Sequence, residues 1–522
     1  GALGVKQSRH DLIVVIDFGA QFSQRIVRRI REFNVYGELW PHTVPLEELT
    51  RRDVKGVILS GGPGSVLAEN APWFDETLFQ LGIPVLGVNY GMQWMVHVLG
   101  GDVRPAEKVS PAEAVVKGLQ RNGLVHGLEH MAAEDLKVRL HHGDYIAEPP
   151  TDFSVIAATD PTPIAAVKHV SQPFYGVQFQ PESGPTQLWD KILRNFIFGI
   201  AACEPTWTMA NFVSEQIEAI RQAVGDAGKV VCGLSGGVDS SVAAALVHQA
   251  LGDRLYTIFV DHGFMRKGEP EEVKKIFSTR FGNNFKAVDA RERFFARLEG
   301  ISDPEEKRKR IGNEFIRVFE EEARKIGDVR YLVQGTLYSD VIESGFGTAS
   351  VIKSHHNVGG LPEKMQLDLI EPLRSLFKDE VRALGEELGL PKQLIWRQPF
   401  PGPGLAIRVI GEVTRERLEA ARECDAIVLE ELEKAGLTDQ VWQAFAVLTD
   451  TRSVGVKDDR RTYGYVAAVR AVVSTDAMTA DWVRIPYDVL DRMATRMMNE
   501  VPLVGRVVYD ISSKPPGTVE WE

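Results

Sequence analysis

Two short stretches bring together residue types at spacings that could do chemistry. The first is "GLSGGVDSS", residues 233–241. An apolar run precedes it and a helical pattern follows, so the loop would open onto a helix N-terminus. There Ser235, Gly236, Gly237, Val238, Ser240 and Ser241 would offer backbone amides and hydroxyls to a pyrophosphate. Asp239 is the carboxylate placed to hold the accompanying Mg²⁺. The stretch lacks the lysine of a Walker P-loop, which excludes that kind of nucleoside triphosphatase. An ordinary glycine turn before a helix is the alternative, and it would suffice for a bare SGG. The second stretch is "VLGVNYGMQWM", residues 85–95, where Gly87 and Gly91 flank Asn89 at two residues on either side. Small residues at that spacing let a strand turn sharply into a helix and expose one side chain at the tip, as in a nucleophile elbow. Such a tip normally carries Ser or Cys. Asn89 has no proton that a base could usefully remove and no thiolate form. The stretch is either no active site or a former one.

The elements that must position these residues follow from the pattern around them. Over residues 11–200, "DLIVVIDFG" reads as a strand, "QFSQRIVRRIREF" as a helix, and "VKGVILSGGPGS" as a strand with a glycine loop. This alternation predicts a parallel sheet covered by helices. "KVRLHHGD", "SVIAAT", "PIAAVKH" and "PFYGVQFQP" have hairpin-like spacing and would extend that sheet. "CEPTWTM", residues 203–209, reads as a linker into a second α/β pattern, and the proline- and glycine-rich "RQPFPGPGLAIRVIG" marks a second boundary. The remainder mixes two helical stretches with β-rich runs, a small α+β domain. The chain is thus read as 10–202, 203–397 and 398–522.

Composition sets the outer limits. The 522 residues, 44% hydrophobic and 25% charged, are those of an ordinary globular chain with two to four domains. A net charge of −12 with scattered cations argues against a nucleic-acid surface. Cys203, Cys232 and Cys424 are far apart and show no metal-ligand spacing, so a disulfide framework is not expected and a reducing cytoplasm is. The N-terminal stretch contains only a short apolar run, which fits neither a signal peptide nor a membrane span.

The motifs "SGGVDSS", "VDHGFMRKGE", "DPEEKRKRIG", "QGTLYSDVIES", "KSHHNVGGLP", "PFPGPGLAIRV", "RTYGYVAAVRAV" and "SSKPPGTVEWE" occur in this order. By them the chain resembles the ATP pyrophosphatases and, more narrowly, the GMP synthetase family along nearly its whole length. The resemblance implies a multidomain α/β chain: a class I glutamine amidotransferase (flavodoxin-like) domain, an adenine-nucleotide α-hydrolase-like ATP pyrophosphatase domain, and a small α+β C-terminal dimerisation domain. It implies adenylation of XMP by Mg-ATP, displacement of AMP by ammonia, and a cytoplasmic homodimer with no nucleic-acid or membrane partner. Loop 235–241 would bind pyrophosphate, with Val260, Asp261 and Gly263 near the adenosine. Asp303, Glu306, Lys307 and Lys309 would belong to a mobile lid that contributes charge to adenylation; the bland alternative is a solvated helix face. In "KSHHNVGG", Lys353 is the expected nucleotide contact, since adjacent His355 and His356 point in different directions and make a poor metal pair. The tail looks frayed by position alone. By resemblance it folds back onto XMP, with Lys514 and Arg506 on the phosphate and Glu520 or Glu522 on the purine or ribose. Ser339, Gln398 and Gly517 depart from the family's usual proline, histidine and alanine.

The amidotransferase half departs further. The family hydrolyses glutamine with a Cys–His–Glu triad. Here Asn89 stands at the nucleophile, Gln180 in "FQPE" stands at the histidine, and Glu182 remains. His141 or His142 could supply a base but not a nucleophile, and Gly62 would mark the former oxyanion hole. The sequence therefore predicts loss of glutaminase activity and amination of XMP by free or donated ammonia. The alternatives are a diverged synthetase that adenylates XMP or a related purine nucleotide for another nucleophile, and a non-catalytic ligand-binding paralogue.

Overall fold

The computed structural model describes residues 10–20, 22–107, 113–121, 123–140, 143–179, 186–344, 366–474 and 479–522. The described residues form two compact units, one within 10–214 with 339–344, the other within 215–338 with 366–522.

In the first unit, β1 (Leu12–Asp17), β2 (Tyr36–Pro41), β3 (Val54–Leu59) and β4 (Val85–Val88) form the parallel part of a seven-stranded sheet. Ile13, Val14, Val15 and Ile16 are all fully buried, because helices cover both faces of the strand. One cover is α1 (Ser23–Glu32), which buries Ile26, Val27 and Ile30 at helical spacing. The sheet continues through β5 (Phe153–Ala157), β6 (Ala166–His169) and β7 (Phe174–Val177), in the order β2-β1-β3-β4-β7-β6-β5. β7 runs parallel to β4, and β6 and β5 return antiparallel, so those runs extend the sheet as expected. "KVRLHHGD" does not: Lys137–Arg139 pairs with Glu113–Val115 in a separate two-stranded ribbon. The expected linker 203–209 is not a free tether either. Its Trp207 is buried against Tyr36, with ring centroids 4.6 Å apart, and its amide bonds the Asn34 carbonyl at 2.8 Å. An indole of that size gains more from burial than a tether gains from freedom.

The second unit carries β8 (Lys229–Leu234), β9 (Leu255–Asp261), β10 (Phe285–Asp289), β11 (Val329–Val333) and β12 (Asp368–Ile370), all parallel, in the order β10-β9-β8-β11-β12. Around it lie α3 (Val238–Leu251), α4 (Glu269–Phe281), α5 (Pro304–Ile326) and α6 (Lys378–Glu387). The strand order reverses at β8. The crevice at its C-terminal end is where open α/β sheets bind ligands.

The same unit continues into α7 (Arg415–Lys434), the long hairpin β13 (Gln443–Lys457) and β14 (Arg460–Val473), the short β15 (Asp481–Trp482), α8 (Tyr487–Glu500) and β16 (Val504–Tyr509). Asp458 and Asp459 both take positive φ at the hairpin tip, as a two-residue turn between twisted strands demands. The proline- and glycine-rich run before α7 is a packed seam. Leu405, Ala406 and Ile407 are fully buried, the Leu405 amide bonds the Phe264 carbonyl at 2.8 Å, and one apolar cluster runs from Val231 and Phe264 through Leu405 to Ala444 and Met493. Among the described residues no helix is long and apolar enough to cross a membrane.

Candidate functional site

Loop 235–241 joins β8 to α3 at the reversal of strand order. Gly236 takes φ +83°, which an L-residue rarely adopts, so the turn requires glycine there. Ser235 and Ser240 bridge the loop through their hydroxyls at 3.2 Å, and the Ser241 hydroxyl donates to the Gly237 carbonyl at 2.7 Å. Asp239 lies in the first turn of α3 with its side chain a third exposed, and its carboxylate pairs with the Lys378 ammonium at 2.7 Å. Mg²⁺ travelling with ATP takes most of its oxygens from phosphates and water, with one or two carboxylates. Asp239 fits that single-carboxylate role. Among the described residues no cluster of three or more His, Cys, Asp or Glu could hold a metal by itself.

The neighbouring strand end places Val260 and Asp261 in buried positions, and Asp261 accepts from the Gly263 amide at 3.0 Å. Gly263 has φ +86°, and a Cβ there would come within 3.3 Å of Arg291. His262 receives the Phe264 amide on Nδ1 at 3.1 Å and donates through Nε2 to the Gly402 carbonyl at 3.0 Å. Burial holds its imidazole below the ordinary histidine value, which matches this neutral tautomer. Burial likewise pushes the Glu269 carboxyl up, against the pull of Arg397 and Arg266. Gln398, the departure from histidine, accepts from the Ala444 amide at 2.9 Å and from Arg266 at 3.4 Å, and so ties the seam to β13.

The charged run at 303–309 is the start of α5. Asp303 caps it by accepting from the Glu306 amide at 2.9 Å, and Glu306 pairs with Arg310 one turn on. Lys309 is exposed, as a solvated face requires, but Lys307 has no exposed side-chain area. Its ammonium donates to the carbonyls of Ala406 and Val409 at 3.2 and 2.7 Å and to the Glu522 carboxylate at 2.9 Å. Two residues implied to meet ligands separately are thus brought into contact with each other.

The tail is packed rather than frayed. Arg470, fully buried, donates to the carbonyls of Ser512, Thr518 and Val519. Arg408, also fully buried, lies over the Phe445 ring at 3.9 Å and pairs with Glu520 at 2.7 Å. Glu520 and Glu522 therefore face cations of the chain itself. Lys514 and Arg506 are not brought together. Arg506 is in register with Val466, whereas Lys514 bridges Ala480, next to the Val473–Asp481 pair. About eight residues of strand, roughly 26 Å, separate the two positions, too far for one phosphate within a chain. The shared phosphate contact read from the sequence is corrected accordingly.

In the first unit the backbone turn after β4 is built as the glycines predicted, but the side chain at its tip, expected to be exposed, is buried. Asn89 takes φ 48° and ψ −110°, a strained conformation that asparagine tolerates better than most residues. A Cβ at Gly91 would lie 2.1 Å from the Leu59 carbonyl oxygen, and one at Gly87 would lie 2.7 Å from the Met92 nitrogen. Behind the tip runs α2 (Tyr90–Val98). The glycine loop 61–62 lies alongside: a Cβ at Gly61 would stand 3.7 Å from that of Asn89, and one at Gly62 would strike the Phe18 carbonyl at 2.7 Å. The Asn89 side chain is 1% exposed, and neither its oxygen nor its nitrogen has a hydrogen-bond partner among the described residues. Burial pushes the thiols of Cys203, Cys232 and Cys424 up to about 12, so each stays protonated. His141, His142, Gln180, Glu182, Lys353, His355 and His356 lie outside the described residues.

Sequence reasoning missed Lys378, Arg397, Arg408 and Arg470. Arg408 and Arg470 stood inside quoted motifs, but nothing local distinguishes a buried arginine from a surface one.

Comparison with known proteins finds three family matches along the chain. The class-I glutamine amidotransferase family matches residues 14–200, the NAD synthase family 211–405, and the GMP synthase C-terminal domain 430–521. A glutamine-hydrolyzing GMP synthase of Geobacillus kaustophilus is 56% identical, covering 98% of this chain and 99% of that protein. Its counterparts in Symbiobacterium thermophilum and Bacillus cytotoxicus are 55% and 54% identical over 98% and 99% of this chain and 99% and 100% of their own lengths. With that identity sustained from end to end, the chain belongs to the GMP synthase family.

Proposed function

We propose that this member of the GMP synthase family aminates XMP with ammonia rather than with nitrogen released from glutamine. The amination of XMP with ATP belongs to the family; the nitrogen source is the open part. The observation that carries the proposal is Asn89, a buried amide without a hydrogen-bond partner among the described residues, at the tip of a tightly turned elbow. An amide nitrogen shares its lone pair with its carbonyl and cannot attack the side chain of glutamine. None of the three cysteines offers a thiolate instead.

In the synthetase half, loop 235–241 would seat the pyrophosphate, and Asp239 with Lys378 would flank it with one charge of each sign. Mg²⁺ bound at Asp239 would draw negative charge from the phosphate oxygens. The O2 oxygen of XMP forms a bond to the α-phosphorus of ATP as pyrophosphate leaves. Ammonia then adds at C2, AMP departs with that oxygen, and the amine loses a proton. Lys514 would meet the XMP phosphate, and two chains would pair through the C-terminal sheet, where Val454, Val456 and Tyr463 are exposed. The deciding experiment supplies ATP and XMP with ammonium, with glutamine, or with neither, and follows AMP and GMP. Ammonium alone should support GMP formation. Glutamate released from glutamine in step with GMP would refute the proposal.

A further inference from the structure

We propose that Arg397 is a positioning residue for adenylation, one that holds the pyrophosphate loop in its anion-accepting form by occupying the Gly236 carbonyl. The proposal rests on the reading of loop 235–241 as the pyrophosphate cradle. A backbone loop binds an anion only if its amides face the ligand and its carbonyls are engaged elsewhere. Two carbonyls in this loop are engaged. That of Gly237 receives the Ser241 hydroxyl at 2.7 Å, and that of Gly236 receives Arg397 Nη1 at 2.7 Å. Gly236 is the loop residue at φ +83°, and glycine lacks the Cβ that would hinder rotation of its peptide. Its carbonyl orientation therefore needs an external hold, and Arg397 supplies one.

The guanidinium is itself fixed. Arg397 is 13% exposed and pairs at 3.2 Å with Glu269, 12% exposed, in the first turn of α4. A Cβ on Gly236 would stand 3.3 Å from Arg397 Nη1 and 3.1 Å from Met265 Cε, so the side chain packs directly over the loop. The next residue, Gln398, is bonded to the Ala444 amide and to Arg266, whose guanidinium pairs at 3.3 Å with the fully buried Asp425 of α7. Arg397 is thus a strut between the loop and the C-terminal part of the unit. Both contacts run through one nitrogen, Nη1, which carries two N–H groups and so can serve Glu269 and the carbonyl together.

The test uses the full chain with XMP and saturating ammonium, measuring pyrophosphate release and inhibition by added inorganic pyrophosphate. Arg397→Met should raise both the KM for ATP and the inhibition constant of pyrophosphate at least tenfold. It should lower kcat while leaving the KM for XMP within twofold, and Arg397→Lys should recover part of the loss. ATP and pyrophosphate constants within twofold of the parent would overturn the proposal. So would ATP and XMP constants rising together with a lowered Tm and no recovery by lysine, the pattern of a merely structural arginine. A parent that released no pyrophosphate would overturn the assignment of the loop and this proposal with it, whereas an active parent unaffected by Arg397→Met would overturn this proposal alone.

Discussion

Replacing Lys307 by methionine tests the coupling between α5 and the tail. Methionine keeps most of the side-chain volume but removes the ammonium that three acceptors share. One lost charge-assisted bond costs about 1.5–3 kcal/mol, and a buried carboxylate left unpaired costs about 3–5 kcal/mol. The tail can escape the larger cost by detaching, held back by Arg408 on Glu520 and by Arg470 on the carbonyls of Thr518 and Val519. A local loss of about 3 kcal/mol corresponds to roughly a hundredfold in an opening equilibrium. Hydrogen exchange reads this directly. Amides of the last nine residues should lose about a hundredfold in protection, while those of β8, β9 and β11 should not change. A change below about threefold in the tail would refute the reasoning. Both ionisations are opposed by burial, which raises the Glu522 carboxyl and lowers the Lys307 ammonium. The Glu522 contribution is therefore present below the ordinary carboxylate pKa and lost as pH rises through its raised value. The Lys307 contribution is present above the ordinary lysine pKa and lost as pH falls through its lowered value. Near neutrality the pair fixes where the tail lies more than it adds net stability. Lys307→Met combined with Glu522→Leu should accordingly restore most of the protection.

Further outcomes are expected. Asn89→Cys alone should not create glutamine-dependent GMP synthesis, because Gln180 cannot accept the thiol proton; the double change with Gln180→His is the minimum, and glutamate release measures it. Asp239→Asn should slow XMP-dependent ATP consumption by at least ~100-fold without a comparable fall in Tm. Lys514→Ala should raise the KM for XMP roughly ten- to a hundredfold with little change in that for ATP, and Arg506→Ala should not reproduce it, given the strand register. His262 has a lowered folded pKa, so its contribution to stability is present above about pH 6.5 and lost as pH falls through the folded value. Tm should therefore fall more steeply below pH 6 for the parent than for His262→Gln.

The sequence by itself determined what depends on local chemistry. Gly87 and Gly91 around Asn89 specified the elbow, because its geometry is a steric property of five consecutive residues. "GLSGGVDSS" specified a loop opening a helix, and the alternation of strand and helix patterns over residues 11–200 specified parallel strands covered by helices. That the tip of the elbow carries an amide was likewise readable from the identity of one side chain, Asn89. Tertiary structure decided what depends on which distant groups meet. Lys307 looks like one more charge on a helix face until the fold brings Glu522, 215 residues away, against it. Arg397, Lys378 and Arg408 acquire their partners in the same way, at separations of 161, 139 and 112 residues. Strand register separated Arg506 from Lys514, which the family resemblance had placed on one phosphate. Long-range pairing has no local signature, because an arginine gains its meaning from the carbonyl or carboxylate that the rest of the fold delivers to it.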